Sequence, residues 1–213
     1  MTTSDRSTIK RLPDRARYDR ETLDAILDEA PICTVSYIVD GRPFAIPTIH
    51  ARVGDVIYLH GAPASHTLGA LGAGIEACLV ATIIDGLVVA RSAFHSSMNY
   101  RSAVVVGTAR EVTDRDEKVA AMRAVTEHVL AGRWDEARPA SAKEIAGTRI
   151  VAVSIDDAAC KVRTGPPIDD PDDLDLPIWA GVVPMRTVLG EPEQDSQGVA
   201  LPASVSDARR GQR

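Results

Sequence analysis

The apolar and polar positions of this chain fall mostly into strand-length blocks closed by turn residues, with helical spacing in only a few places. Two apolar runs, 32–39 and 42–50, are separated by Asp40-Gly41, the dipeptide that best accepts the positive φ angles of a tight hairpin. A third strand is predicted over 56–60, after the turn at Gly54-Asp55. Runs at 75–84 and 87–94 flank a second Asp-Gly pair, Asp85-Gly86, and read as another hairpin; 102–112 and 150–155 complete the strand set.

Helical periodicity is confined to four places. Asp19 is placed to cap a helix whose apolar side is Leu23, Ile26, Leu27 and Ala30, ending before Pro31. A short helix is predicted within 65–74. Asp114 with Glu117 resembles a capping box ahead of Val119, Met122, Val125 and Val129, and Ser141 with Glu144 opens a shorter helix. Six or seven hairpin-joined strands with a few peripheral helices predict a mostly β fold, a closed or split β-barrel. A dinucleotide-binding α/β fold is disfavoured, because Gly69-Ala70-Leu71-Gly72-Ala73-Gly74 has the wrong spacing and lies past a strand end.

The ends differ from the middle. Residues 1–17 are polar and basic without an apolar period and read as an N-terminal arm able to cross to a partner subunit. Residues 18–189 make one domain, with the acidic stretch 169–173 as a solvated loop. Residues 190–213, rich in Gly, Pro, Gln and Ser, read as a disordered tail.

With 213 residues the chain has room for one full core. Its net charge of −6 argues against a nucleic-acid partner, which calls for a basic face. No apolar run approaches the roughly 18 residues a membrane helix needs, and the first residues lack the apolar segment of a secretory signal, so the expectation is a cytoplasmic protein without a membrane partner. Cys33, Cys78 and Cys160 lie far apart and read as buried thiols. A Gly-x-Ser-x-Gly nucleophile elbow is missing, and His50, His60, His66 and His95 lack the paired spacing of metal ligands, so no metal is expected.

The strongest chemical signal is Asn99-Tyr100-Arg101-Ser102 followed by an apolar strand ending at Gly107. It places a cation at the mouth of a sheet, where a phosphate or an electron-rich ring can be held. Upstream stand Ile46-Pro47-Thr48-Ile49-His50, then Ile57-Tyr58-Leu59-His60-Gly61, then Ala64-Ser65. Together with Asp40-Gly41-Arg42-Pro43, Lys161-Val162-Arg163 and Trp179-Ala180-Gly181-Val182-Val183-Pro184, the order of these segments resembles the pyridoxamine 5′-phosphate oxidase-related family, in the branch that includes nitroimidazole-resistance-type proteins.

That resemblance implies a split-barrel homodimer binding FMN in grooves along the dimer interface. It implies a phosphate site at His60, Gly61, Ser65, His66 and Thr67, where many relatives carry an arginine or lysine near the position of His66. The ring would run along Pro47, Thr48 and Ile49. Asn99, Tyr100, Arg101 and Ser102 would approach its pyrimidine end or the phosphate, and Trp179 would cover it from the other subunit. Lys161 and Arg163 point to one face of a strand, as a cationic pair toward a groove or as a solvated face.

The implied activity is flavin hydride chemistry on an unidentified small molecule, an oxidoreductase in which the protein supplies position and charge and no side chain has to act as acid or base. Pyridoxamine phosphate oxidation itself is disfavoured, because the Arg-x-His segment of the authentic oxidases is replaced by 179–184. Two alternatives stay open: a non-catalytic flavin or haem carrier with His60 or His66 as axial ligand, and a deazaflavin-dependent reductase.

Overall fold

In the computed structural model, which describes residues 4–210, Asp40 and Gly41 take φ angles of 50° and 72° and close a hairpin between β2 (Cys33–Val39) and β3 (Arg42–Thr48). The remaining strands are β1 (Ala16–Arg17), β4 (His50–Val53), β5 (Val56–Gly61), β6 (Glu76–Val89), β7 (Ser97–Glu111), β8 (Arg149–Ser154), β9 (Asp157–Arg163) and β10 (Gly181–Pro184). They follow the order β3-β2-β6-β7-β8-β5-β4, with β1 on β9, β9 on β7 and β10 on β6. The fold is the mostly β, split-barrel type that the hairpin pattern predicts, with helices at its periphery. No helix among the described residues is long and apolar enough to cross a membrane.

The chain divides into two compact units. The first contains the described residues through Ala30, Val80–Val105 and Asp157–Thr187. Its helix α1 (Arg20–Glu29) starts where Asp19 accepts a hydrogen bond from Thr22 N at 2.8 Å. Leu23, Ile26 and Leu27 are buried along one side of it, each contributing about 2 kcal/mol through burial. The N-terminal residues are seated on their own chain. Ser4 and Ser7 donate to the buried carboxylate of Asp157, and β1 pairs with β9 through Ala16↔Lys161 and Arg17↔Cys160. A carboxylate enclosed at this depth needs donors, and the N-terminal segment provides them.

The second unit contains Pro31–Leu79, Val106–Asp156 and the described residues from Val188. Here β5 lies between β4 and β8. α2 (His66–Gly72), α3 (Arg115–Val129), α4 (Arg133–Glu136) and α5 (Ala142–Ala146) surround it in sequence, and part of its core is Tyr58, Val112, Ala121, Ile150 and Ala152. Asp114 caps α3 through Glu117 N at 2.8 Å, but the reciprocal half of the box is missing. The Glu117 carboxylate instead accepts from the Tyr58 hydroxyl and from Arg110, joining α3 to β5. Ser141 and Glu144 do form the full box. Gly107 is a steric necessity, since a Cβ there would sit 1.7 Å from Ser154 O across the β7–β8 pair.

Several predicted boundaries differ. Asp85-Gly86 is not a turn: β6 runs through it, and Asp85 serves as an ion-pair partner of Arg101. Gly86 is small because β10 lies against it and a Cβ there would stand 3.0 Å from Val183 O, so this glycine answers a close approach and not a positive φ. The run 42–50 splits at Ile49, because β3 pairs with β2 while β4 pairs with β5. In the segment read as a disordered tail, Ala203–Arg210 form α6, whose Ser204 N donates to Glu136 at 3.0 Å.

Candidate functional site

Within the second unit, hairpin geometry brings part of the predicted site together. The two-residue turn sets Tyr37 directly across from Phe44, and their rings stack at 5.2 Å with 11° between planes. Tyr37 donates its hydroxyl hydrogen to Thr67 Oγ1 at 3.0 Å, and Phe44 lies 5.4 Å from the ring of His66. The β2–β3 hairpin is thereby joined to the turn that opens α2, two segments about thirty residues apart in sequence.

Ser65 caps α2 by accepting from Leu68 N at 3.3 Å. This leaves its own O–H free to donate, and Thr67, accepting from Tyr37, is in the same position. Gly61 ends β5 where a Cβ would stand 2.9 Å from Leu68 Cδ1, so the missing side chain lets α2 close on the strand end. His60, one residue earlier and paired with Ile150, is half-buried. Its Nδ1 is enclosed without a hydrogen-bond partner among the described residues, and burial pushes the imidazole pKa down, which favours the neutral ring and its lone pair. Pro47 is exposed and Thr48 and Ile49 half-buried, at the end of the strand order, where β3 has β2 as its pairing partner.

The first unit holds the remaining predicted residues. Asn99, Tyr100, Arg101 and Ser102 lie inside β7, which begins at Ser97, earlier than the sequence suggests. Arg101 is chelated: Nε and Nη2 reach Asp85 at 3.0 and 2.7 Å, while Nη2 also reaches Glu29 at 2.7 Å and Nη1 bonds the other Glu29 oxygen. The Glu29 carboxyl is held below its ordinary range by these hydrogen bonds. Two carboxylates therefore neutralise this cation, beside an open groove of ≈ 440 Å³ whose walls include Arg17, Asp19, Thr22 and Ile26.

Asn99 and Arg163 are brought into direct contact, Asn99 Oδ1 accepting from Arg163 Nη1 while Asn99 Nδ2 donates to Gly165 O at 3.1 Å. Ser102 Oγ reaches Lys161 O at 3.4 Å, and Lys161 Nζ donates to Arg11 O at 3.0 Å. Trp179 is 64% exposed and lies over Gly181, where a Cβ would be 3.0 Å from Trp179 Cζ2. No group of three or more His, Cys, Asp or Glu side chains among the described residues is arranged to hold a metal ion.

Sequence reasoning missed Tyr37, Phe44, Glu29 and Asp85. The first two were accessible, because a two-residue turn at Asp40-Gly41 forces Val39 opposite Arg42 and hence Tyr37 opposite Phe44. Asp85 was obscured by its resemblance to a turn residue, and Glu29 carried no signal beyond being the last acid of an amphipathic helix.

The family described as pyridoxamine 5′-phosphate oxidase matches residues 19–162. Among solved structures, the flavocytochrome Anf3 from Azotobacter vinelandii is 40% identical, with 96% of each chain covered and a TM-score of 0.89. The FAD and haem binding protein from Mycobacterium smegmatis is 38% identical, covering 92% of this chain and 97% of its own, with a TM-score of 0.87. A candidate 5-nitroimidazole antibiotic resistance protein from Bacteroides thetaiotaomicron shares the fold at 21% identity, with coverage of 69% and 86% and a TM-score of 0.59. No functionally curated protein matches the chain.

Proposed function

The chain belongs to the pyridoxamine 5′-phosphate oxidase family, and from that premise we propose that it is a flavin-binding redox protein whose flavin sits against the β2–β3 hairpin and the turn opening α2. The observation that carries this reading is the Tyr37 bridge, which holds Thr67 and the hairpin in one place. Ser65 and Thr67 each keep an O–H to donate to a phosphate, and His66 stands between them against Phe44. The end of β3 and the residue after it offer peptide N–H and C=O groups to a ring edge at Thr48 and Ile49, while Pro47 lacks an N–H and leaves one position without a donor.

A bound flavin supplies hydride and single-electron transfer at its ring. The chain's own groups bind and orient. The ring and phosphate contacts named here serve the FMN moiety, which FAD also contains, so the same residues support either cofactor. Exposed Ile178, Trp179, Val183 and Met185 support a homodimer in which a second copy covers them.

One observation favours adding haem to this reading. His60 presents an enclosed, partnerless Nδ1 on a neutral ring, the state an imidazole needs to ligate iron, and two relatives of nearly full coverage carry cytochrome or haem in their names. The test is a near-ultraviolet and visible spectrum of the purified protein, followed by flavin titration. Flavin bands or saturable flavin binding are expected, with a Soret band that His60→Ala removes while the flavin signal stays. Absence of flavin at purification and on titration would sink the flavin reading, and a Soret band unchanged in His60→Ala would remove His60 as ligand. Consumption of a reduced nicotinamide in the presence of an electron acceptor distinguishes an oxidoreductase from a carrier.

A further inference from the structure

Arg163 is buried as a cation without a counter-charge among the described residues. Only 6% of it is exposed, and all its partners are neutral: Asn99 Oδ1, Gly165 O at 3.4 Å and Pro166 O at 3.2 Å. Its Nε is enclosed with no acceptor, and no carboxylate of the described residues pairs with it. The contrast with its neighbours in the same unit is sharp. Arg91 binds Asp169 at 2.8 Å, and Arg101 binds Asp85 and Glu29. An enclosed guanidinium costs several kcal/mol unless an anion accompanies it, and carbonyl dipoles offset only part of that cost.

A second cation makes the arrangement less favourable still. The β1–β9 ladder pairs Ala16 with Lys161, which sets Arg15, one residue earlier, beside the Arg163 end of β9, and the short helical turn Pro13–Arg15 lies against that strand. The guanidinium of Arg15 forms no hydrogen bond or ion pair among the described residues, and its like charge acts on Arg163. The phenol of Tyr100 on β7 is the third polar group acting there. Two guanidiniums, one enclosed and one without a partner among the described residues, with the Tyr100 phenol acting on the enclosed one, form a constellation that gains from an oxyanion and loses without one.

We propose that Arg15 and Arg163 form an anion site that takes a phosphoryl group, with the Asn99-Gly165 contact holding Arg163 in place. A phosphoryl dianion offers at least three oxygens and two charges to two guanidinium forks, whereas a carboxylate neutralises one of them. The N-terminal segment, read from the sequence as an arm able to cross to a partner subunit, thereby becomes part of a binding site. The group belongs to a free phosphorylated small molecule. The proposal does not require that a flavin binds.

The experiment is thermal unfolding of the full chain with inorganic phosphate in the millimolar range at constant ionic strength, for the wild type and Arg15→Gln. The wild type is expected to gain thermal stability with phosphate as a bound ligand does, and Arg15→Gln, which removes no hydrogen bond or ion pair of the described residues, is expected to lose that gain. Arg163→Lys is expected to weaken it about tenfold, because an ammonium cannot replace the fork. No phosphate-dependent gain in the wild type, or an equal gain in Arg15→Gln, overturns the proposal, and either result can be read whether or not the protein binds flavin.

Discussion

Tyr37 Oη and Thr67 Oγ1 are joined by a 3.0 Å hydrogen bond across 30 residues of sequence, and that bond links a strand buried in the second unit to the turn proposed to face the phosphate. Tyr37 is 4% exposed, so its ring is fixed by packing and its hydroxyl holds Thr67 in one rotamer.

Tyr37→Phe keeps the stack on Phe44 and removes only that hydroxyl. The expected result is a stability loss of about 1 kcal/mol and a several-fold weaker flavin affinity, because Thr67 becomes free to rotate. Chemical denaturation and flavin-fluorescence titration read the two effects separately. Stability falling with affinity unchanged would remove the turn from the site.

Gly107→Ala forces a Cβ into Ser154 O, which is backbone and moves only with its strand. Loss of more than about 3 kcal/mol is expected, enough to deplete soluble protein. Gly190→Ala, where a Cβ meets nothing within 4 Å, is the matched control and should behave as wild type in expression and melting.

Arg101 is expected to stabilise the fold in a pH-dependent way. Its hydrogen bonds keep the folded Glu29 carboxyl below the ordinary 4.5, so this contribution is fully present above about pH 4.5 and disappears as the pH falls through the lower folded value. Glu29 is 53% exposed, which limits the effect to under about 1 kcal/mol. Arg101→Gln should melt at a lower temperature at neutral pH and show a shallower loss of stability on acidification. An acid limb identical to that of the wild type would exclude the pair as its origin.

Cys33 and Cys160 are buried and their thiol pKa values are pushed up to about 12 by desolvation. At pH 8 both should resist alkylation in the folded protein, and all three cysteines should react once the chain is denatured. Peptide mass mapping after labelling reads this directly. Rapid modification of Cys160 in folded protein would show that β9 opens, since that residue pairs with Arg17 of β1.

Much of the fold is legible from local rules. The caps at Asp19, Ser65, Asp114 and Ser141 form where short polar side chains precede helical spacing, because the first N–H groups of a helix need an acceptor nearby. The turn at Asp40-Gly41 forms because both residues accept positive φ. The same rule misreads Asp85-Gly86. An aspartate and a glycine are equally suited to a turn, to an ion pair and to a close strand crossing, and only the presence of Arg101 and β10 selects the last two.

The candidate site divides in the same way. Residue type and position at strand or helix ends let the sequence nominate Ser65, Thr67, His60 and Arg163 as the residues proposed here to bind ligands. The tertiary structure decided what each side chain meets: Arg101 is chelated by two acids, Arg163 is enclosed with none, and Tyr37 and Phe44 tie the hairpin to the turn. Local propensity depends on neighbours a few positions away. The charge and hydrogen-bond state of a buried group depends on partners tens of residues distant, which only the packed chain brings within reach.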